Sequence, residues 1–136
     1  MKFHPAVLAL FATVFLVLSI QFPAVAMDEP GFAIKRMVIA ENVVDREPVA
    51  VGETFTAAAE TVYCFLEAAA IEHDTTVHFV WYHEKTEVAR VPLPLSAGKR
   101  WRTYSSKKLA GLKGDWTVEL QEESGIILNS VSFTVR

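Results

Sequence analysis

The sequence has one cysteine, only six glycines and six prolines, and no long apolar run after residue 26. A single cysteine excludes an internal disulfide, so packing alone must hold the fold together. Cys64 lies in the apolar segment 62–66, and we interpret it as a small buried hydrophobic residue. The alternative is a reactive or intermolecular thiol, which no Cys-x-x-Cys motif supports.

Motifs of the common enzyme classes are also missing. The chain has no phosphate-binding glycine loop, zincin motif or nucleophile elbow. His73, His78 and His83 recur every five residues, but odd spacing on a strand sends successive side chains to opposite faces. We therefore expect no metal, no cofactor and no enzymatic activity. The alternative is a hydrolase that uses His78 or His83, although no nucleophile stands at a matched spacing.

The one long apolar run covers residues 6–20, after Lys2 and His4. It ends before Ala24-Val25-Ala26, the small-x-small pattern of a signal-peptidase site. The run has about 15 residues, fewer than the ~20 that a membrane span needs. We predict a signal peptide over residues 1–26 that is cleaved after Ala26, a flexible leader over 27–31 and one domain over 32–136. The protein would then be periplasmic or secreted, with no membrane contact after cleavage; the alternative is an uncleaved anchor.

Charge is distributed unevenly along the chain. Residues 85–113 carry eight Lys or Arg residues against the single acid Glu87, a net charge of +7, whereas residues 27–84 carry −8 and 115–136 carry −3. One interpretation is intramolecular pairing of basic with acidic strands. The other is a basic surface for an anionic partner. Nucleic acid is not expected as that partner, because the chain is exported and acidic overall.

Short alternating segments predict an all-β protein. About seven strands are expected, with turn signals between them, at residues 34–39, 61–70, 75–83, 87–95, 101–106, 115–122 and 126–135. Residues 49–56 are predicted to be an irregular crossing segment. This strand number and spacing are typical of an immunoglobulin-like antiparallel β-sandwich.

The predicted core is aromatic. Cys64 on the second strand and Trp81 on the third follow the immunoglobulin order of Cys and Trp, but Trp116 and Val118 stand where a second cysteine would be. An aromatic core is therefore expected in place of a disulfide. Trp81, Trp101 and Trp116 are expected to be buried near one another.

Residues 99–108 interleave cations, aromatic rings and hydroxyls, which suits guanidinium and stacking contacts with an anionic partner. If the fourth and fifth strands are neighbours, Arg90 lies beside Arg102 on this surface. Tyr82 and His78, on the outward side of the third strand, are expected to extend it. The predicted binding residues are Arg90, Arg100, Arg102, Tyr104, Lys107, Tyr82 and His78. The expected partner is an anionic envelope glycan or an acidic protein surface. The alternative is a purely structural accessory domain, in which the arginines pair with Glu67, Glu84, Glu87 or Glu119.

Five sequence blocks together are similar to a known family. They are the Asp-Arg-Glu-Pro-Val block at 45–49 and the blocks at 62–65, 78–82, 100–107 and 114–119. They resemble the small bacterial family called domain of unknown function 2914, over about Phe32 to Val135. The resemblance implies an exported or membrane-tethered bacterial envelope domain. It implies no catalytic residues, since the family has no assigned activity.

Overall fold

The computed structural model describes residues 30–136, and all statements about structure below concern that part of the chain. It contains nine β-strands and one short 3₁₀ helix, Ala57–Ala59. The strands are β1 (Ala33–Val44), β2 (Glu47–Val51), β3 (Thr54–Phe55), β4 (Thr61–Ile71), β5 (Thr75–His83), β6 (Thr86–Leu95), β7 (Gly98–Lys108), β8 (Gly114–Glu122) and β9 (Ile127–Val135).

The strands form two packed sheets. Sheet I has the order β2-β1-β4-β7, and sheet II has the order β3-β9-β8-β5-β6. Neighbouring strands run antiparallel, apart from the two-residue strand β3, which pairs in parallel with β9. The predicted immunoglobulin-like all-β sandwich is confirmed.

The alternation of side chains along the strands correctly predicts which residues form the core. On β4, the set Val62, Cys64, Leu66 and Ala68 is fully buried between the sheets, as predicted. Phe133 on β9 lies between the two tryptophans of sheet II, with ring centroids 6.4 Å from Trp81 and 5.8 Å from Trp116. This aromatic cluster takes the place of the disulfide. Cys64 is a free thiol with no exposed surface, and burial raises its pKa, so the prediction of a small buried hydrophobic residue is confirmed.

The prediction that all three tryptophans are largely buried near one another holds only in part for Trp101, which packs against the core cluster without being fully buried. Trp81 and Trp116 are 0% and 1% exposed, whereas Trp101 is only partly buried. It lies on β7, an edge strand of sheet I, so no further strand covers its outer side. An inward-facing residue on an edge strand keeps part of its surface in solvent.

The predicted crossing over residues 49–56 is present, since the chain passes there from sheet I to sheet II, but the prediction that the whole segment is irregular is wrong. This stretch contributes to β2 and contains β3. Asp45 and Arg46 both have positive φ, 51° and 61°, which is the geometry of a two-residue hairpin between β1 and β2. Pro48 therefore lies on an edge strand, one of the positions in a sheet that its missing N–H allows.

The fourth and fifth predicted strands are not neighbours. They correspond to β6 and β7, and the chain crosses between them from the edge of sheet II to the edge of sheet I. The connection is only Ser96 and Ala97, followed by Gly98 at φ 151°. A two-residue link usually makes a hairpin, but here it crosses from one sheet to the other. The expected cross-strand contact between Arg90 and Arg102 is therefore absent from the described structure.

The start of the described chain is fixed by a backbone contact. The Gly31 carbonyl accepts a hydrogen bond of 2.8 Å from the Glu72 amide. The predicted signal peptide and cleavage point, and most of the predicted leader, lie outside the described residues. From residue 30 to residue 136 no helix has the length and apolar character needed to cross a membrane.

Candidate functional site

The tip of the β1–β2 hairpin turns back over the outer face of sheet I. Glu47 pairs in register with Val44, eight residues after Arg36. A straight strand would separate those positions by about 26 Å at ~3.3 Å per residue. Instead, the Glu47 carboxylate lies 3.1 Å from Arg36 Nη2. Strand β1 must therefore bend, and it brings the tip over β4 and β7.

Beneath the tip is a cluster of charged residues that we call the Arg–Glu cluster. Its members are Arg36, Glu47, Glu67, Arg100 and Arg102. Glu67 on β4 stands in register with Arg36 on one side and Arg102 on the other. Three arginines, one on β1 and two on β7, thus surround two carboxylates.

The geometry of the cluster is that of charge-assisted hydrogen bonds. Arg36 donates to both oxygens of Glu47 at 3.1–3.2 Å and to Glu67 at 3.1 Å. Arg100 donates to Glu67 at 2.8 and 3.1 Å, and Arg102 donates to Glu47 at 2.6 Å. Forked guanidinium contacts of this kind fix orientation as well as charge. The cluster therefore ties the hairpin tip to the two strands below it.

Electrostatics in the cluster favour the ionised carboxylates. Hydrogen bonding from Arg36 lowers the pKa of Glu47, and hydrogen bonding from Arg100 lowers the pKa of Glu67. The Arg36 guanidinium also lies over the Phe65 ring, 5.0 Å from its centroid. Phe65 points outward from sheet I yet has no exposed surface.

These shifts predict how stability depends on pH. Since the folded pKa values of both carboxyl groups lie below the ordinary value of 4.5, their contribution is fully present above pH 4.5. It is lost as the pH falls through the lower folded pKa values. At pH values below 4.5, we expect the urea concentration at the midpoint of unfolding to decrease with falling pH. For a Glu47→Gln variant it should decrease less steeply. If the midpoint falls equally steeply with pH in the native protein and the variant, the prediction is wrong.

Beside the cluster runs an open groove of about 630 Å³, which we call the edge groove. It is lined by Arg46, Arg100, Trp101, Arg102, Thr103 and Tyr104. All but Arg46 come from β7, and Arg46 is contributed by the hairpin tip. Tyr104 is 47% exposed, and its ring meets that of Tyr63 at 5.9 Å and 61°. The groove thus combines guanidinium groups with an exposed aromatic ring.

Positive charge exceeds negative charge at the edge groove. The two carboxylates of the Arg–Glu cluster face three arginines, and Arg46 forms no ion pair with any residue in the described range. Lys99 and Lys108 add exposed cations at the two ends of β7. Internal pairing therefore neutralises only part of the basic segment.

Three of the predicted binding residues lie elsewhere. Arg90, Tyr82 and His78 are on β6 and β5, on the outer face of sheet II and thus on the opposite side of the sandwich. Arg90 donates to Glu87 at 2.8 Å and to Gln121 at 3.3 Å. The prediction that they extend the Arg100 surface is wrong, because the chain crosses between the sheets after β6.

Tyr82 and His78 have their own environment on sheet II. Burial, with a hydrogen bond to Glu119, raises the pKa of Tyr82. His78 Nδ1 is buried and has no hydrogen-bond partner among the described residues. Neither side chain contributes to the edge groove.

Lys107 is also displaced from the predicted face. It lies within β7 rather than in a following loop, and its register partner is Val62, a core residue. It therefore points to the opposite side of β7 from Arg100, Arg102 and Tyr104, which share the outer face as predicted. Its Nζ donates to the Lys108 carbonyl at 3.0 Å.

The histidines of the hydrolase alternative are not arranged as an acid–base pair. His83 Nε2 lies 2.8 Å from the Lys113 carbonyl, and its ring packs against Trp116 at 4.8 Å. Neither His83 nor His78 is hydrogen-bonded to a carboxylate within residues 30–136. No group of three or more potential metal ligands is assembled in that range.

Sequence reasoning missed Arg36, Arg46 and Glu47 as members of the site. The sequence offers Glu67 as a partner for the arginines, whereas it offers the block at 45–49 only as part of the family resemblance. Nothing in the sequence shows that the hairpin tip bends over sheet I. Only the register of β1, β4 and β7 places Arg36, Glu67 and Arg102 in one row.

Comparison with known families gives one match. Residues 74–135 match the family described as "Protein of unknown function (DUF2914)". The predicted resemblance is confirmed over those residues, which run through strands β5 to β9. The DUF2914 segment thus contains β7, whereas the hairpin tip with Arg46 and Glu47 lies before it. No curated protein matches the chain.

Solved structures show the fold alone. The chain is similar to an immunoglobulin-like protein from Pseudomonas aeruginosa, with a TM-score of 0.53 and 12% identity, over 77% of this chain and 96% of that one. A GH3 β-glucosidase from Bifidobacterium adolescentis gives 0.47 and 15%, over 76% of this chain and 17% of that one. A β-glucosidase from Listeria innocua in complex with glucose gives 0.47 and 9%, over 76% and 15%. The chain spans only a small part of either glucosidase, and these two likenesses carry no functional argument.

Proposed function

We propose that this domain is a non-catalytic interaction module, exported to the periplasm or beyond, that binds an anionic partner through the edge groove. The observation that carries the proposal is the positive charge left over at the groove after the Arg–Glu cluster is paired. Exposed charge of one sign beside an aromatic ring attracts and orients an anionic ligand. The partner is an envelope glycan with acidic groups or an acidic protein surface.

The test uses cations outside the Arg–Glu cluster, so that the fold stays intact. We compare an Arg46→Glu/Lys108→Glu variant, which changes one groove cation and one cation on the outer side of β7, with the native protein for binding to heparin, as an anionic glycan, and to poly-L-glutamate, as an acidic polypeptide. We expect the native protein to bind at least one probe at low salt, and affinity to fall steeply above about 0.1 M salt as charges are screened. The variant should bind at least tenfold more weakly.

The matched control is Lys85→Glu/Lys113→Glu, which makes the same change in net charge at exposed positions in the turns after β5 and before β8. Its affinity should stay close to native. If both variants lose affinity equally, net charge rather than the groove is responsible. If the native protein binds neither probe at low salt, the proposal is wrong.

A second candidate function is that of a structural accessory domain. It is favoured by the 2.6 and 2.8 Å contacts of Arg102 and Arg100 with carboxylates, which give both arginines a role in folding. Under this alternative an Arg100→Glu/Arg102→Glu variant fails to fold. The groove variant then has native behaviour in every binding assay.

A further inference from the structure

The four edge strands of the sandwich differ in how they are protected. Unpaired backbone groups at a sheet edge can add a further strand, and natural proteins block edges with proline, short length or irregular backbone. On β6, Pro92 and Pro94 remove two donors. On β2, Pro48 removes one donor, and the positive φ of Ala50, 57°, makes the backbone irregular. Strand β3 is only two residues long.

Strand β7 has none of these features. It runs for 11 residues without proline and pairs with β4 along its length, from the pair Thr61–Lys108 to the pair Ile71–Gly98. No other strand in residues 30–136 pairs with its second side. The edge groove lies along this strand. This edge is therefore a regular, extended template for a further strand.

The charges on β7 decide which strand the edge accepts. Five of its residues are cationic: Lys99, Arg100, Arg102, Lys107 and Lys108. A second copy of the chain, paired edge to edge, would place these cations close to one another, which destabilises a sheet. The cations on β7 therefore disfavour pairing with a second copy of the chain and favour pairing with an acidic strand.

We propose that β7 adds an extended acidic segment of a partner polypeptide as a further strand of sheet I. The proposal rests on the proposed function and names the class of partner. The outer positions of β7 carry Arg100, Arg102 and Lys108, whereas the inner positions beside the groove carry the partly buried Trp101 and Thr103. Since side chains alternate along a strand, the matching segment has acids at every second position and β-branched residues between them.

The first measurement compares two ten-residue peptides of equal composition and charge, binding to the native domain. One alternates Glu and Thr, and the other has five Glu residues followed by five Thr residues. We expect the alternating peptide to bind at least tenfold more tightly, because it alone places its carboxylates on one face. Fluorescence anisotropy of labelled peptides measures both affinities.

The second measurement tests the backbone pairing itself. The alternating peptide is made with N-methyl groups at all Glu positions, or at all Thr positions. Amides of alternate residues point to opposite sides of a strand. One of the two sets should therefore lose tenfold or more in affinity, as several hydrogen bonds are lost together, while the other keeps its affinity.

The outcomes separate this inference from the proposed function. If both peptides bind equally and neither methylated set loses affinity, the strand-addition proposal is wrong. That result does not contradict the proposed function, which is binding of an anionic partner at the groove. If neither peptide nor poly-L-glutamate nor heparin binds at low salt, both proposals are wrong.

Discussion

Replacing Trp81 by Ala should lower the free energy of unfolding by about 3–5 kcal/mol, the usual cost of deleting a fully buried large aromatic side chain. Trp81 has no exposed surface and packs edge-on against Phe133, which stacks in turn on Trp116. Removing it leaves a cavity at the centre of the core. Since a domain of this size has about 5–15 kcal/mol in total, the loss is a large share of its stability.

Two variants serve as controls for this prediction. Trp81→Phe keeps most of the ring and removes an indole N–H that has no partner among the described residues, so its cost should be well below that of Ala. Trp101→Ala should cost less than Trp81→Ala, because Trp101 is partly exposed on an edge strand. Urea denaturation followed by circular dichroism measures all three. A Trp81→Ala midpoint equal to that of Trp101→Ala would contradict the placement.

The sequence predicts the central strands well because burial on one face imposes a period of two. The bounds of β5, Thr75–His83, are the same as those predicted, and β8 differs by one residue. In both strands the heaviest apolar residues recur at every second position, so one register is strongly preferred. The same alternation correctly places Arg100, Arg102 and Tyr104 on one outward face.

The arrangement of strands between sheets is harder to predict. Alternation gives the face of each residue but not the sheet to which its strand belongs. A two-residue link between β6 and β7 favours a hairpin, and only the structure shows that the chain crosses there. This crossing separates Arg90, Tyr82 and His78 from the edge groove. Pro92 and Pro94 are typical of an edge strand, which β6 is, but they do not indicate which edge it forms.

Intramolecular pairing accounts for part of the uneven charge. Arg100 pairs with Glu67 and Arg90 with Glu87, two of the pairings that intramolecular complementarity predicts. Glu47 was not foreseen as a partner, because its position depends on the bend of β1. The acidic first half of the chain thus neutralises some of the basic segment across sheet I. The remaining cations lie at the groove and along β7.

Replacing Gly114 by Ala should cost about 2–4 kcal/mol, the second large effect we expect. Gly114 has φ 108°, a conformation that L side chains rarely adopt and that costs on the order of 1–3 kcal/mol when forced. A Cβ atom there would also overlap Glu84 Oε1. That oxygen accepts a hydrogen bond of 3.0 Å from the Asp115 amide, and the Glu84 amide donates to the Asp115 carbonyl at 2.9 Å. The substitution would therefore displace the end of the Glu84 side chain and break its hydrogen bond with the Asp115 amide, in addition to straining the backbone.

A matched control separates steric overlap from backbone strain in this prediction. Gly111 also has positive φ, 72°, but an added Cβ meets nothing within 4 Å, so Gly111→Ala carries the strain of about 1–2 kcal/mol without the overlap. In a Glu84→Ala background the overlap disappears, and Gly114→Ala should then cost less than it does in the native protein. Urea denaturation of the four variants, the fourth being Glu84→Ala alone, gives the coupling between the two positions. If Gly114→Ala and Gly111→Ala lower the free energy of unfolding equally in the native background, displacing the Glu84 side chain has no measurable cost.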